Sequence, residues 1–183
     1  NNCDLTANNT KCNGNATFLD TIMIYQSMSG DADSGTSKFS MSGGSLTSKS
    51  GHTFHVTNTN CVITLEDVEI TNSDDDVLIS VCDDGWSGAA NIATLNASNQ
   101  VLNGTILVGD DTSDGGSSLT LNLLNGSVFT GDTSGVITNY KSNEQISSSL
   151  GTLDINIEEG STWVLTGDSE VSSLSGAGTV NYN

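Results

Sequence analysis

The sequence predicts an all-β chain wound as a solenoid, and three observations carry that expectation. Residues 119–132 (LTLNLLNGSVFTGD) recur almost residue for residue at 153–168 (LDINIEEGSTWVLTGD), and self-similarity at a period of a few tens of residues marks a stacked repeat. Inside the motif Leu153, Ile155 and Ile157 alternate with Asp154, Asn156 and Glu158, a period of two that belongs to a strand and to no amphipathic helix. Gly126-Ser127 and Gly160-Ser161 stand where the chain must turn, glycine supplying backbone angles that other residues resist. One repeat therefore reads as three short strands separated by three corners, and the chain as about five to six such rungs.

In chain order, residues 1–17 hold Cys3 and Cys12 but few core-forming side chains. They predict a polar cap or arm stapled by a Cys3–Cys12 disulfide and unable to be a rung. Residues 18–183 are expected to be a single solenoid domain, with a first strand at Ile22, Met23, Ile24 and Tyr25 and a corner at 29–35. First strands of successive rungs begin near Phe39, Val62, Ala93, Leu119 and Leu153. Second strands fall near Leu46, residues 68–70, Val101-Leu102, Val128-Phe129 and residues 163–165. Third strands fall near 54–56, 77–81, 106–108, Val136-Ile137 and 171–174. Leu65, Leu121 and Ile155 are expected in one inward column, and the long insertions at 83–91 and 139–149 are expected on one surface, carrying any specificity.

The 183 residues include 22 acidic side chains, four Lys, no Arg and no Pro, for a net charge of −18. Such a balance excludes nucleic acid and anionic lipid as partners, since both demand basic neutralisation. No run approaches the length of a membrane-spanning apolar segment, so no membrane insertion is expected. A start at Asn1 in place of Met reads as a removed leader. Four cysteines, an even number, fit an oxidising compartment. The expected location is secreted, extracellular or at the cell surface. Cys61 and Cys82 lie about one rung apart at one corner and are expected to pair. Buried free thiols are the alternative there, and four cysteines allow three connectivities.

Three short strands per turn joined by Gly, Asn, Asp and Ser corners resemble the right-handed parallel β-helix of the pectate-lyase-like superfamily, over residues 18–183. The resemblance implies strands that pair with their equivalents in neighbouring rungs and apolar columns directed inward. Asp74-Asp75-Asp76 is similar to the paired aspartates of polygalacturonases within that superfamily. Those enzymes also need a Gly-His-Gly after the aspartates and an Arg-x-Lys for the uronate carboxylate; here Gly51-His52 precedes them, the second Gly is absent, and there is no Arg. Lyases of the fold commonly use an Arg or Lys base, and Lys11, Lys38, Lys49 and Lys141 have no supporting constellation. The expectation is a non-enzymatic protein with no catalytic residues and no required cofactor.

Calcium is the candidate ligand for acidic corners at Asp31 and Asp33, at Asp74, Asp75 and Asp76, at Asp83 and Asp84, and at Asp110 and Asp111 with Asp114. Stacked corners would bring Asp76, Asp132 and Asp168 together, a like-charge column that favours a bound cation; solvated acidic corners are the plainer alternative. His52 and His55, three apart on a strand, are expected on opposite faces and so not as a metal pair. Trp86 and Tyr140, in the two insertions, are candidates for stacking on a sugar ring or for simple loop packing. Sequons at Asn8, Asn15, Asn96, Asn103 and Asn125 are candidate glycosylation sites.

The end of the chain offers a last feature. Thr179, Val180, Asn181 and Tyr182 begin another rung, and no proline, helix or lysine cluster in the sequence covers that edge. Two readings follow: either the chain is cut from a longer solenoid, or this is an open assembly edge that receives the starting edge of another copy, a heterologous contact that propagates into a filament. The chain resembles adhesin-like bacterial surface proteins, and its expected function is a structural subunit of an extracellular, head-to-tail homopolymer or surface layer. The alternative is a carbohydrate-binding adhesin module, calcium-dependent at its acidic corners, with polysaccharide as partner.

Overall fold

The computed structural model describes residues 20–26, 35–83, 90–110, 116–139 and 143–183, and the backbone of 3–7. All regular structure among them is β. The strands are β1 Cys3–Ala7, β2 Asp20–Tyr25, β3 Thr36–Ser42, β4 Gly44–Ser48, β5 His52–Thr57, β6 Asn60–Glu66 and β7 Glu69–Thr71. There follow β8 Val77–Val81, β9 Asn91–Ser98, β10 Val101–Asn103, β11 Thr105–Val108, β12 Ser117–Leu124, β13 Val128–Gly131 and β14 Thr133–Ser134. The last six are β15 Val136–Thr138, β16 Gln145–Ser148, β17 Thr152–Ile157, β18 Thr162–Leu165, β19 Ser173–Gly176 and β20 Thr179–Tyr182.

Four of the sheets are parallel, and from β2 to β14 every third strand returns to the same sheet in the two largest of them, whereas the later returns are uneven, from β12 to β17 and from β17 to β19. The six-stranded sheet runs β3-β6-β9-β12-β17-β19, the five-stranded β2-β5-β8-β11-β14, and two shorter sheets run β1-β4-β7 and β10-β13-β18-β20. Parallel neighbours need a long crossover, and here the intervening strands supply it where many proteins use a helix.

Alternation drives the packing. Along β12 each odd residue is buried and each even one half-exposed, and in-register pairing turns that pattern into columns: Ile63, Leu95, Leu121 and Ile155 in one, Leu65, Ala97, Leu123 and Ile157 in the next. Leu121 and Ile155 therefore share a column as expected, whereas Leu65 belongs to the adjacent one. A two-residue offset keeps a side chain on the same face, so alternation alone does not choose between the two alignments. Each such side chain is fully or almost fully buried, the Leu and Ile members contributing about 1.5–3 kcal/mol each.

The corners follow from chain geometry. Asn125 and Gly126 both have positive φ, 52° and 77°, and Gly160 repeats the feature at 87°; this region favours Gly and Asn. The Ser127 hydroxyl behind the first of these turns is fully buried. It accepts from the Gln100 N–H and lies 2.6 Å from the carbonyl oxygen of Leu124.

First, second and third strands lie where the sequence places them in the passes beginning with β3, β6 and β9. Later passes differ. The third strand after β13 is β14, whereas Val136 and Ile137 belong to β15, which forms an antiparallel hairpin with β16. After β18, residues 169–170 lie beside β14: Thr133 Oγ1 donates to the Glu170 carbonyl at 2.6 Å and accepts from its N–H. The next strand, β19, returns to the six-stranded sheet. Near the N-terminus, β1 pairs in parallel with β4, so part of the segment expected as a cap or arm continues a ladder. A backbone can extend a sheet through its own N–H and C=O groups, which a reading based on core-forming side chains overlooks.

Candidate functional site

The parallel ladders expose one edge at β19 and β20. Trp163 pairs with Val180 and Leu165 with Tyr182, while Ile155 pairs with Leu174. The inner members Trp163 and Ile155 are buried. Their outer neighbours are not: Leu174 is 49% exposed, Val180 38% and Tyr182 75%. Thr179, Val180, Asn181 and Tyr182 thus form a strand that bonds to β18 on one side, with no strand beyond it among the described residues. At the other end of the stack the six-stranded sheet begins at β3 and the five-stranded at β2. Phe39, Ile22 and Ile24 there are half-buried against the core.

A second feature is a groove between β7 and β10, where one short sheet ends and the other begins. It is lined by Asp67, Val68, Glu69, Ile70, Val101 and Asn103, among others. Gln100, between the lining residues Asn99 and Val101, is itself buried. Its carboxamide Oε1 accepts from the Val68 N–H at 2.9 Å and its Nε2 donates to the Val68 carbonyl at 2.7 Å. A primary amide carries both a donor and an acceptor, so this side chain replaces a stretch of missing ladder.

The acidic corners are engaged one at a time. Asp75 accepts from the Gly51 N–H at 2.7 Å, Asp76 from Asn72 Nδ2, and Asp132 from Thr105 Oγ1 at 2.6 Å; Asp74 is exposed and Asp83 half-buried. Asp110 accepts from the hydroxyls of Ser147, Ser148 and Ser149. These bonds hold its carboxyl well below the usual carboxylate range. No three of these carboxylates converge among the described residues. Asp31, Asp33, Asp84, Asp111 and Asp114 lie outside those residues, as do Trp86, Tyr140, Asn8, Asn15 and Cys12. Of the other sequons, Asn103 and Asn125 are exposed, and Asn96 accepts a bond from Asn122 Nδ2.

The expected pairing of Cys61 with Cys82 is not formed: both are buried and neither is in a disulfide. Cys61 lies in the main core, whereas Cys82 packs with Ile137 of the hairpin, a separate cluster. Counting rungs places two residues at neighbouring heights without saying on which side of a sheet each side chain lies. Burial pushes the Cys61 thiol up to about 11, away from thiolate reactivity. The Cys3 side chain, and with it the Cys3–Cys12 pairing, lies outside the described residues.

One grouping was not anticipated. His52 and His55 were expected on opposite faces, yet the ligand atoms of Asp20, His52 and His55 all lie within 4.8 Å of one another. The alternation rule holds within a strand, and His52 is the first residue of β5, directly after the turn at Gly51 with φ of 71°. Asp20 and His52 are Cα partners on β2 and β5, and His55 faces Ser80 on β8. Both imidazole Nδ1 atoms reach the Ser80 hydroxyl, at 2.8 and 2.7 Å. A hydroxyl has one proton to give and two lone pairs, so at most one ring accepts from Ser80 and at least one donates to it. Burial lowers His52 to about 4, opposed by Asp75. Burial and the neighbouring His52 lower His55 to about 3. At neutral pH the site is two neutral imidazoles and a carboxylate, a donor set suited to a metal ion. The signal in the sequence was the pair of histidines beside a corner; the contribution of Asp20, thirty-odd residues earlier, follows only from register. No family profile, curated protein or solved structure matches the chain.

Proposed function

We propose that the protein is a non-enzymatic, secreted structural subunit: a right-handed parallel β-helix that joins other copies head to tail into an extracellular filament or surface layer. The observation that supports this most directly is the exposed edge at β19 and β20, which continues the apolar columns of the core through Leu174, Val180 and Tyr182. An edge carrying these columns fits a strand that carries the same columns, and the half-buried Phe39, Ile22 and Ile24 at the opposite end offer that complement. Contact between unlike ends does not close on itself. With a charge of −18 on each copy, the contact strengthens as salt screens repulsion.

Electron microscopy of the purified chain at low and raised ionic strength tests this. Filaments are expected, and Val180→Asp with Tyr182→Asp is expected to abolish them while leaving the β circular dichroism signal intact. Isolated short rods at high protein concentration would sink the proposal. The second reading, a carbohydrate-binding module, has the groove between β7 and β10 in its favour. Glycan-array binding lost on Asp67→Ala or Glu69→Ala would support it, and chelator sensitivity would add calcium.

A further inference from the structure

We propose that Asp20, His52 and His55 bind a divalent first-row transition metal of the zinc class, fastening the edge strand β2 to β5 of the five-stranded sheet. The three side chains come from two adjacent strands whose parallel register places Asp20 opposite His52 and Met23 opposite His55, so the backbone ladder holds the donors at a set separation. His52 Nδ1 lies 3.7 Å from Asp20 Oδ1. Donors about 2.0–2.1 Å from a tetrahedral zinc lie about 3.4 Å apart, so closing on an ion asks for side-chain shifts of about 1 Å from the present spacing. The site is sheltered without being sealed: the His52 side chain is 14% exposed and that of Asp20 9%, while His55 is fully buried.

The donor set decides the class of ion. Calcium and magnesium take oxygen ligands, whereas two imidazoles and one carboxylate suit zinc and its first-row neighbours. Because the imidazoles are already neutral at physiological pH, no histidine proton competes with the ion. Ser80 has a place in this arrangement as well. Its hydroxyl, which now orients both rings, is positioned either to remain bonded to one of them or to complete the coordination.

The test is calorimetric titration of zinc chloride into chelator-stripped protein in the presence of a large excess of calcium, which occupies the exposed carboxylates without competing for nitrogen. One saturable equivalent is expected, together with a cobalt complex whose visible absorption has tetrahedral intensity and a zinc-dependent rise in melting temperature. Asp20→Asn and His52→Gln are each expected to weaken zinc at least tenfold. Asp20→Asn, a near-isosteric change on an edge strand, serves if the histidine variant loses its fold. Absence of binding under excess calcium, or binding unchanged in Asp20→Asn, would overturn the assignment. The readout is taken on unassembled protein, so its result is separate from that of the filament experiment.

Discussion

The six-stranded and five-stranded sheets take one strand each from every pass of the chain through β3 to β14, yet they treat their outward faces differently. Along β9 and β12 buried residues alternate with partly exposed ones, and the outward side carries Thr94, Asn96, Thr120 and Asn122. Along β5 and β8 every residue after the first is buried. Ile79 and Val81 face the core, while Cys82, just beyond β8, packs with Ile137 of the β15–β16 hairpin. A strand covered on one face keeps its outward side chains in water, where polarity has little cost. A strand covered on both must satisfy polar groups internally, and His55 and Ser80 are such groups. Chemistry collects where the second face is closed.

The largest expected effect sharpens the one-sided case. Leu121, fully buried at the centre of the six-stranded sheet, has Leu95 and Ile155 as neighbours in its column. Leu121→Ala should cost about 2–5 kcal/mol through lost transfer energy and a cavity. Thr120→Ala, one residue away on the outward face, should stay within about 0.5 kcal/mol. Urea unfolding of both variants checks the pair, and equal costs would mean that the outward face is covered too.

Acidification tests the two-sided case. The folded chain keeps His52 neutral down to about 4 and His55 down to about 3, against an ordinary value of 6.5. Between those values the unfolded chain binds more protons, so stability rises with pH. The histidine contribution is complete above about pH 6.5 and is lost as the pH falls toward 4, with Asp20 and Asp75 close by to moderate it. By about pH 4.5 the loss should be about 3 kcal/mol per ring. Unfolding free energies measured from pH 7 to 4.5 should fall less steeply in His55→Gln than in the parent chain. Parallel profiles would mean that the rings are already solvated.

A smaller effect is expected at Gln100, where the short sheets part. Its carboxamide bonds both backbone groups of Val68, and Gln100→Ala leaves a buried donor and acceptor unmatched at about 1–3 kcal/mol each if water does not enter. Hydrogen exchange at the Val68 amide should quicken by an order of magnitude or more. Unchanged exchange would show that the strands close the gap by themselves.

What the sequence discloses follows the same division. In the passes starting at β3, β6 and β9, and through β17 and β18, period two with Gly, Asn and Ser corners located the strands, because a half-solvated strand writes its environment into its residues. The hairpin did not show itself, since Val136-Ile137 looks alike whether it pairs within a ladder or lies over one. Asp20 was equally hidden, because nothing near it in the chain points to His52. The edge at Thr179, Val180, Asn181 and Tyr182 was legible as a strand.

The mildest change concerns how the cover over the five-stranded sheet is fastened. Asp110 follows β11 and collects the Ser147, Ser148 and Ser149 hydroxyls together with the Ser148 N–H, while its own N–H donates to Ser147 Oγ at 2.8 Å. One half-buried carboxylate thereby ties the end of β16 to the wall beneath it. Those hydrogen bonds favour the charged form, so the folded-state value lies below the ordinary carboxylate value of about 3.9. Its stabilising contribution is present above that ordinary value and is lost only as the pH drops through the lowered one. Asp110→Asn keeps the shape and removes the charge. Exchange at residues 145–148 should speed up at neutral pH while exchange in β12 stays slow, and in the parent chain that hairpin protection should persist at pH 3.5. Loss of protection above pH 4 would mean that the apolar contacts of Ile137 and Ile146 with Cys82 and Leu107, weakened by general acid loosening, were holding the cover in place of the carboxylate.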